Sequence, residues 1–92
     1  MTTITIDDIR QALRYSESER AITLANALAT DAEVAAQAIF LRGNAHRQLG
    51  HWREALNDYL AAAELDPDGP AADAYRHTQE ILAFYHHDLY NP

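Results

Sequence analysis

Apolar residues recur along the chain at three- and four-residue intervals, which is the spacing of a helix that buries one face. These stripes predict five helical segments, which start near Asp7, Ser16, Asp31, Trp52 and Pro70. Strand-like alternation is confined to residues 2–6, and a single strand has no partner with which to form a sheet. We therefore expect an all-α fold.

Capping and breaking residues place the helix boundaries. Thr5 is positioned to cap the first helix, and Ser16 with Glu19 has the spacing of a capping box at the start of the second. Asp31 is the expected cap of the third helix, and Gly50 is expected to end it. Because the connections are only a few residues long, consecutive helices should run antiparallel, as helical hairpins laid side by side.

The composition agrees with this fold and limits the chemistry. The chain has 92 residues, enough for one domain, and 18 of them are alanine, the residue with the highest helix propensity. Cysteine is absent, which excludes disulfides, thiolate metal sites and cysteine nucleophiles. At this size folding buries about 60 to 65 per cent of the chain's surface, so a deep catalytic cavity inside a large core is not expected.

Acidic residues outnumber basic ones by 14 to 7, and every one of the 7 is arginine, which gives a formal net charge of −7. This balance repels phosphate backbones and anionic lipids, so neither nucleic acid nor a membrane surface is an expected partner. The first residues lack the features of a secretory signal, and no apolar run approaches the roughly 18 residues of a membrane span. These features predict a cytoplasmic protein.

The middle third of the chain carries a specific pattern of helix-packing residues. Over residues 36–67 the pattern consists of Ile39, Arg42, Gly43, His46, Ala55, Tyr59 and Pro67. In these residues the segment resembles a tetratricopeptide repeat, a helix-turn-helix unit of about 34 residues. Arg42 and His46 depart from it, because they stand where the repeat has a leucine and an aromatic residue. The small Gly43 and Ala55 on facing helices would let the two backbones approach closely.

The resemblance implies a right-handed superhelix of antiparallel helical hairpins. Moving back one repeat length places Ala21 under Ala55, which fits the pattern, and Ile9 under Gly43, which does not. Repeat stacks need a terminal element that covers the last apolar face. We expect one domain, 1–92, made of a degenerate first repeat at 5–33, a well-matched repeat at 34–68, and a capping helix with a tail at 69–92.

Members of this family bind an extended peptide or a helix of a partner protein on a concave surface, which is lined by the first helix of each hairpin. On the third helix that surface would consist of Gln37, Phe40, Asn44 and Arg47, which lie within a quarter turn of one another. The first helix would add Arg10 and Arg14. An apolar anchor, an amide and an arginine suit peptide recognition. The resemblance therefore implies a non-catalytic protein-interaction module, such as an adaptor or scaffold.

The arginines narrow the chemistry of the partner, which the sequence does not identify. Family members that hold a carboxyl-terminal carboxylate use an asparagine at the place of Asn44, together with basic residues on neighbouring repeats. The fifth helix offers Ala74 and Thr78 where such basic groups would be needed, so a complete clamp is not expected. We expect instead an acidic or carboxylate-bearing segment across Arg10, Arg14, Asn44 and Arg47. In the alternative, Phe40 packs against a neighbouring helix and the arginines only solvate a helix face.

The titratable residues show no spacing that indicates catalysis or metal binding. His86 and His87 are adjacent, and adjacent residues on a regular helix point about 100 degrees apart, so the pair cannot chelate one ion. The other histidines lack ligand spacing and are expected to be solvated. The sequence contains no glycine-rich phosphate loop and no nucleophile-base grouping, and its carboxylates are expected at helix caps or on polar faces. We expect no cofactor, no metal site and no enzyme activity.

The C-terminal segment is rich in large apolar residues. Phe84, Tyr85, Leu89 and Tyr90 fall within seven residues, and one helix face cannot bury all four. Either the tail folds back over the fourth helix, or it packs on a second molecule, so the chain is expected to be a monomer or a homodimer. The alternative to the interaction module is therefore a structural module that forms a homo-oligomer through its apolar terminal helix.

Overall fold

The chain forms five helices, as the apolar stripes predicted. The computed structural model describes residues 3–90, and side chains from Thr3 to Phe84. The helices are α1 (Ile6–Arg14), α2 (Ser18–Leu28), α3 (Ala35–Gln48), α4 (Trp52–Leu65) and α5 (Ala71–Tyr90). Between residues 3 and 90 there is no strand, so the all-α prediction is confirmed. None of the helices in this range is long and apolar enough to cross a membrane.

The helices pack mainly against their sequence neighbours, and α3 lies at the centre. It contacts α1, α2 and α4, while α5 packs on α4. The largest core cluster joins the first three helices and consists of Ile9, Ala12, Ala21, Ala25, Ala38, Leu41 and Ala45. Most of these side chains are alanine, so the helices approach closely and a few larger residues, among them Ile9 and Tyr59, fill the remaining space.

Two of the three predicted helix caps are wrong. Thr5 caps α1 as expected, in a capping box where Asp8 N–H donates to Thr5 Oγ1 at 3.4 Å and Thr5 N–H donates to Asp8 Oδ2 at 2.9 Å. Ser16 does not cap α2, which begins after Glu17 without a side-chain cap. Asp31 accepts a hydrogen bond from Glu33 N–H in the turn before α3, whose N-cap is Val34. The acidic residue therefore stabilises the turn rather than the helix end.

Ser16 instead ends α1, in the same way that Gly50 ends α3. Ser16 has a left-handed φ of 58°, its N–H donates to Leu13 O at 3.0 Å, and the following N–H donates to Ala12 O at 2.8 Å. Gly50 has a φ of 77° and the same pair of bonds, to Arg47 O and His46 O. This is the Schellman arrangement, in which glycine is the preferred residue. The two positions differ by 50 − 16 = 34 residues, the repeat length.

Replacing Ser16 with glycine should stabilise the fold. A side chain in the left-handed region costs about 1 to 2 kcal/mol, and the greater freedom of glycine in the unfolded chain offsets part of the gain. We expect Ser16→Gly to raise the free energy of unfolding by about 0.5 to 1 kcal/mol, measured by urea denaturation. Gly50→Ala is the matched control and should lower it by a similar amount. A Ser16→Gly variant no more stable than the parent protein would contradict this account of the turn.

The helix crossings of the first two hairpins are equivalent, but the large and the small residue at the crossing change places between them. In the second hairpin Gly43 on α3 lies against Tyr59 on α4, and a Cβ on Gly43 would lie 2.8 and 2.9 Å from two ring carbons of Tyr59. One repeat length earlier, the same positions hold Ile9 on α1 and Ala25 on α2, both fully buried in the core cluster. The first hairpin thus has its large residue on the first helix and its small residue on the second, and the second hairpin has the reverse. This exchange explains why Ile9 stands where the repeat pattern has glycine.

The terminal helix is continuous. The backbone of α5 is helical from Ala71 to Tyr90. Phe84 is exposed over 66% of its surface. The side chains of Tyr85, Leu89 and Tyr90 lie outside the described residues, so the choice between a tail that folds back and one that packs on a second molecule stays a prediction.

Candidate functional site

A cavity of about 310 Å³ lies between α1 and the starts of α3 and α5, and the end of α4 forms part of its wall. Its lining residues are Arg10, Ala36, Gln37, Phe40, Leu41, Ala62, Asp66, Gly69, Pro70 and Ala71. Residues from the starts of α3 and α5 meet here, beside Arg10 of α1. At the other end of α3, Gln48 Nε2 donates to Leu13 O of α1 at 3.0 Å. The two contacts show that α1 and α3 run in the same direction, as alternate helices of stacked hairpins do.

Three of the predicted site residues line this cavity together. Gln37 is exposed at its edge, and Arg10 is exposed on the neighbouring helix. Phe40 is half-buried, because it packs against the core cluster and its ring centroid lies 5.6 Å from that of Tyr59. The interpretation of Phe40 as a packing residue is therefore correct in part, because one face of the ring belongs to the core while the side chain also forms part of the cavity wall. Its role in partner binding stays a prediction. Such a fixed aromatic surface suits an apolar group of a ligand.

The hydroxyl group of Tyr59 lies beside the predicted site residues Asn44 and Arg47. It donates to Asn44 Oδ1 at 2.5 Å. Burial raises the pKa of Tyr59 above its usual value, while the nearby Arg47 acts in the opposite direction, so the hydroxyl stays neutral and can donate. Tyr59, which the sequence indicated only as a packing residue, thus orients Asn44 on the preceding helix.

The arginines differ in whether a carboxylate neutralises them. Arg10 pairs with Asp7 at 3.1 Å, and Arg20, Arg42 and Arg76 also lie at ion-pair distance from carboxylates. Arg14, Arg47 and Arg53 have no such partner among the described residues. Arg14 is exposed in the last turn of α1 and does not line the cavity, whereas Arg47 is half-buried on the same face of α3 as Phe40. The structure thus brings Arg10 to the cavity and leaves Arg14 apart from it.

A buried ion pair joins three helices on another side of α3. Arg42 Nε donates to Asp58 Oδ2 at 2.9 Å and Arg42 Nη2 donates to Asp58 Oδ1 at 2.8 Å, while Nη1 donates to Asn26 Oδ1 at 2.9 Å. The Asp58 side chain is only 10% exposed. Its hydrogen bonds and charge raise the pKa of Arg42 further above the usual value, against the effect of burial. The expectation that every carboxylate lies at a cap or on a polar face is wrong for Asp58.

His46 completes this network and is not solvated as expected. Its side chain is 17% exposed, and Nε2 lies 3.9 Å from Asp58 Oδ2. Nδ1 is buried and has no hydrogen-bond partner among the described residues. The two departures from the repeat pattern, Arg42 and His46, are therefore correlated: both side chains face the same buried carboxylate. An arginine at a leucine position of the repeat is the sequence signal from which a buried acid on a neighbouring helix could have been inferred.

The described histidines and carboxylates form no metal site. Within residues 3–84 no three such side chains converge as metal ligands would. The rings of His46 and His51 lie near each other, with centroids 5.7 Å apart. His86 and His87 lie outside the residues whose side chains are described.

Comparison with known proteins agrees with the pattern of hairpins. The family model of the tetratricopeptide repeat matches residues 36–68. The chain is also similar to protein BF1650 of Bacteroides fragilis, whose solution NMR structure superimposes with a TM-score of 0.84. The two sequences are 37% identical, and the match covers 97% of this chain and 91% of that one. The similarity therefore extends through all five helices and beyond the single repeat that the family model matches.

Proposed function

Because the chain belongs to the tetratricopeptide repeat family, we propose that it is a non-catalytic module that binds a segment of a partner protein in the cavity between α1, α3 and α5. The observation that carries the proposal is the placement of Phe40. Its ring is fixed by the core and by Tyr59, yet it also lines a cavity of about 310 Å³ with the polar Arg10 and Gln37 at its edge. An apolar wall with polar groups around it is typical of a protein-binding groove.

The size of the cavity suits one or two side chains of a bound segment. Small-molecule sites span about 300 to 1,000 Å³ and enclose most of their ligand, whereas this cavity is at the lower limit and open to solvent. The polar groups at its edge, Arg10 and Gln37, are exposed. A protein segment that crosses the groove with one anchoring side chain in the cavity fits this shape better than an enclosed substrate.

The proposal includes the organisation and location predicted from the sequence. We assign residues 5–33 and 34–68 to two stacked repeats and residues 69–92 to the capping element, since Ser16 and Gly50 end equivalent helices one repeat length apart. The proposed location of the interaction is the cytoplasm, as predicted from the sequence.

A tryptophan at the edge of the cavity should block partner binding. Gln37 is exposed, so Gln37→Trp can cover the cavity without disturbing the core, and Asn57→Trp makes the same change at an exposed position of α4. We expect the parent protein and the Asn57→Trp variant to capture the same proteins from a native lysate. The Gln37→Trp variant should capture at least tenfold less of these proteins, as measured by quantitative mass spectrometry. Circular dichroism melting curves establish that both variants are folded. Equal capture by Gln37→Trp and the parent protein would contradict binding in this cavity.

A further inference from the structure

On the face of α3 that carries Phe40 and Arg47, the charge of Arg47 is not neutralised by a carboxylate of the described residues. Arg47 is half-buried, and it lies near the neutral hydroxyl of Tyr59, whose pKa it lowers, rather than beside a carboxylate. Among the described residues no acidic side chain lies at ion-pair distance from it. A half-buried guanidinium is less hydrated than an exposed one, so a carboxylate that reached it would form a charge-assisted bond in a site partly protected from water.

The end of this face at the cavity does not favour a carboxylate. Arg10 is paired with Asp7 at 3.1 Å, and Asp66 contributes a second carboxylate to the lining. A carboxylate from a ligand would find no unpaired cation there and would be repelled by Asp66. The remaining wall is formed by Phe40, Leu41 and small residues. This end therefore favours an uncharged, apolar group.

The distance between Phe40 and Arg47 determines how far apart an apolar group and an acidic group must lie on a bound segment. Phe40 and Arg47 are seven residues apart on one helix, which is about 10.5 Å along its axis, and they differ by only about 20 degrees around it. An extended chain of the polyproline II type has three residues per turn and rises about 3.1 Å per residue, so side chains three positions apart lie on the same side at about 9.3 Å. In this conformation a separation of three residues matches the distance between Phe40 and Arg47 more closely than a separation of two or four residues does.

We propose that the segment bound in this groove is extended and carries an acidic residue three positions from a large apolar residue. The apolar side chain occupies the cavity beside Phe40, and the carboxylate pairs with Arg47. This inference rests on the proposed function, because it names the chemistry of the segment that the same groove would bind. Arg14, although it is also without an acidic partner among the described residues, has no part in it.

Synthetic peptides test the spacing directly. Each peptide has a background of serine, glutamine and proline with a single leucine and a single glutamate, separated by one, two, three or four positions. A further peptide has glutamine in place of glutamate at separation three, and a helix-forming peptide has separation seven. Dissociation constants come from amide chemical shifts of the ¹⁵N-labelled protein. We expect the separation-three peptide to bind about tenfold more tightly than the glutamine version and than the peptide with separation one.

Two charge-removing variants identify the arginine responsible. Arg47→Gln should abolish the tenfold preference for glutamate over glutamine, whereas the matched control Arg14→Gln should keep it. The proposal is overturned if Arg14→Gln is the variant that removes the preference, if the helical separation-seven peptide binds best, or if the separation-three peptide does not bind measurably. Equal binding of all the leucine peptides at the cavity would also overturn it, but would leave the proposed function standing, since that depends on the Gln37→Trp result.

Discussion

Replacing Asp58 with alanine is expected to lower the free energy of unfolding by about 2 to 4 kcal/mol, measured by urea denaturation. Removing one partner of a buried ion pair costs about 3 to 5 kcal/mol because it leaves the other charge buried and unpaired. The Arg42 side chain is 25% exposed, so water reaches part of the guanidinium and reduces the loss. Arg42 would keep only its bond to Asn26 Oδ1.

The double variant separates the burial of charge from the loss of packing. In Arg42→Leu/Asp58→Ala neither charge remains, and leucine is the residue that the repeat has at position 42, so we expect stability within about 1 kcal/mol of the parent protein. A double-mutant cycle with Arg42→Leu then gives the coupling between the two side chains. A double variant as unstable as Asp58→Ala alone would show that Asp58 acts by packing and not through Arg42.

Replacing Gly43 with isoleucine is expected to destabilise the fold by about 3 kcal/mol, which is at the upper end of the usual range for substitutions that overpack a core. Even a single added Cβ would lie 2.8 Å from Tyr59 Cε1 and 3.2 Å from Asp58 Cβ. The Tyr59 ring has little freedom to move away, because it is fully buried and its hydroxyl is hydrogen-bonded to Asn44. Ala27→Leu, an enlargement at an exposed position of α2, is the control and should change stability by less than about 0.5 kcal/mol.

The first hairpin supplies a compensating change. Gly43→Ile with Tyr59→Ala places at the second crossing the pair that Ile9 and Ala25 form at the first. Tyr59→Ala alone should cost about 3 to 5 kcal/mol by leaving a cavity. We expect the double variant to be more stable than the sum of the single effects by over about 1 kcal/mol, from thermal melts. Strictly additive losses would show that the two crossings are not interchangeable.

Helix positions follow from the sequence because they depend on local signals. The 3.6-residue stripes, Gly50 and the Thr5 cap act within a few residues of where they occur, and the structure has the five helices that they predict. The capping box expected at Ser16 failed for a physical reason. Its serine and glutamate have the correct spacing, but the end of α1 needs a left-handed residue at the same position, and Ser16 takes that role.

The buried network could be predicted only in part. Arg42 and His46 stood out as polar residues at apolar positions, yet nothing local showed that both would face Asp58, which follows 16 residues after Arg42 on the facing helix. The same limit applies to the concave face. Helical spacing placed Gln37, Phe40, Asn44 and Arg47 in one row, but the separation of Arg14 from Arg10 and the role of Tyr59 depend on contacts between helices.

The most direct test of the proposed function is an amide chemical-shift map of the ¹⁵N-labelled protein with the binding segment of its captured partner. If the segment binds in the concave groove, the largest changes will fall on α1, α3 and the start of α5, at Arg10, Gln37, Phe40 and Ala71. The exposed positions of α4, such as Asn57, will not shift. Changes concentrated on α2 and α4, with Gln37 and Phe40 unaffected, would contradict binding in this groove.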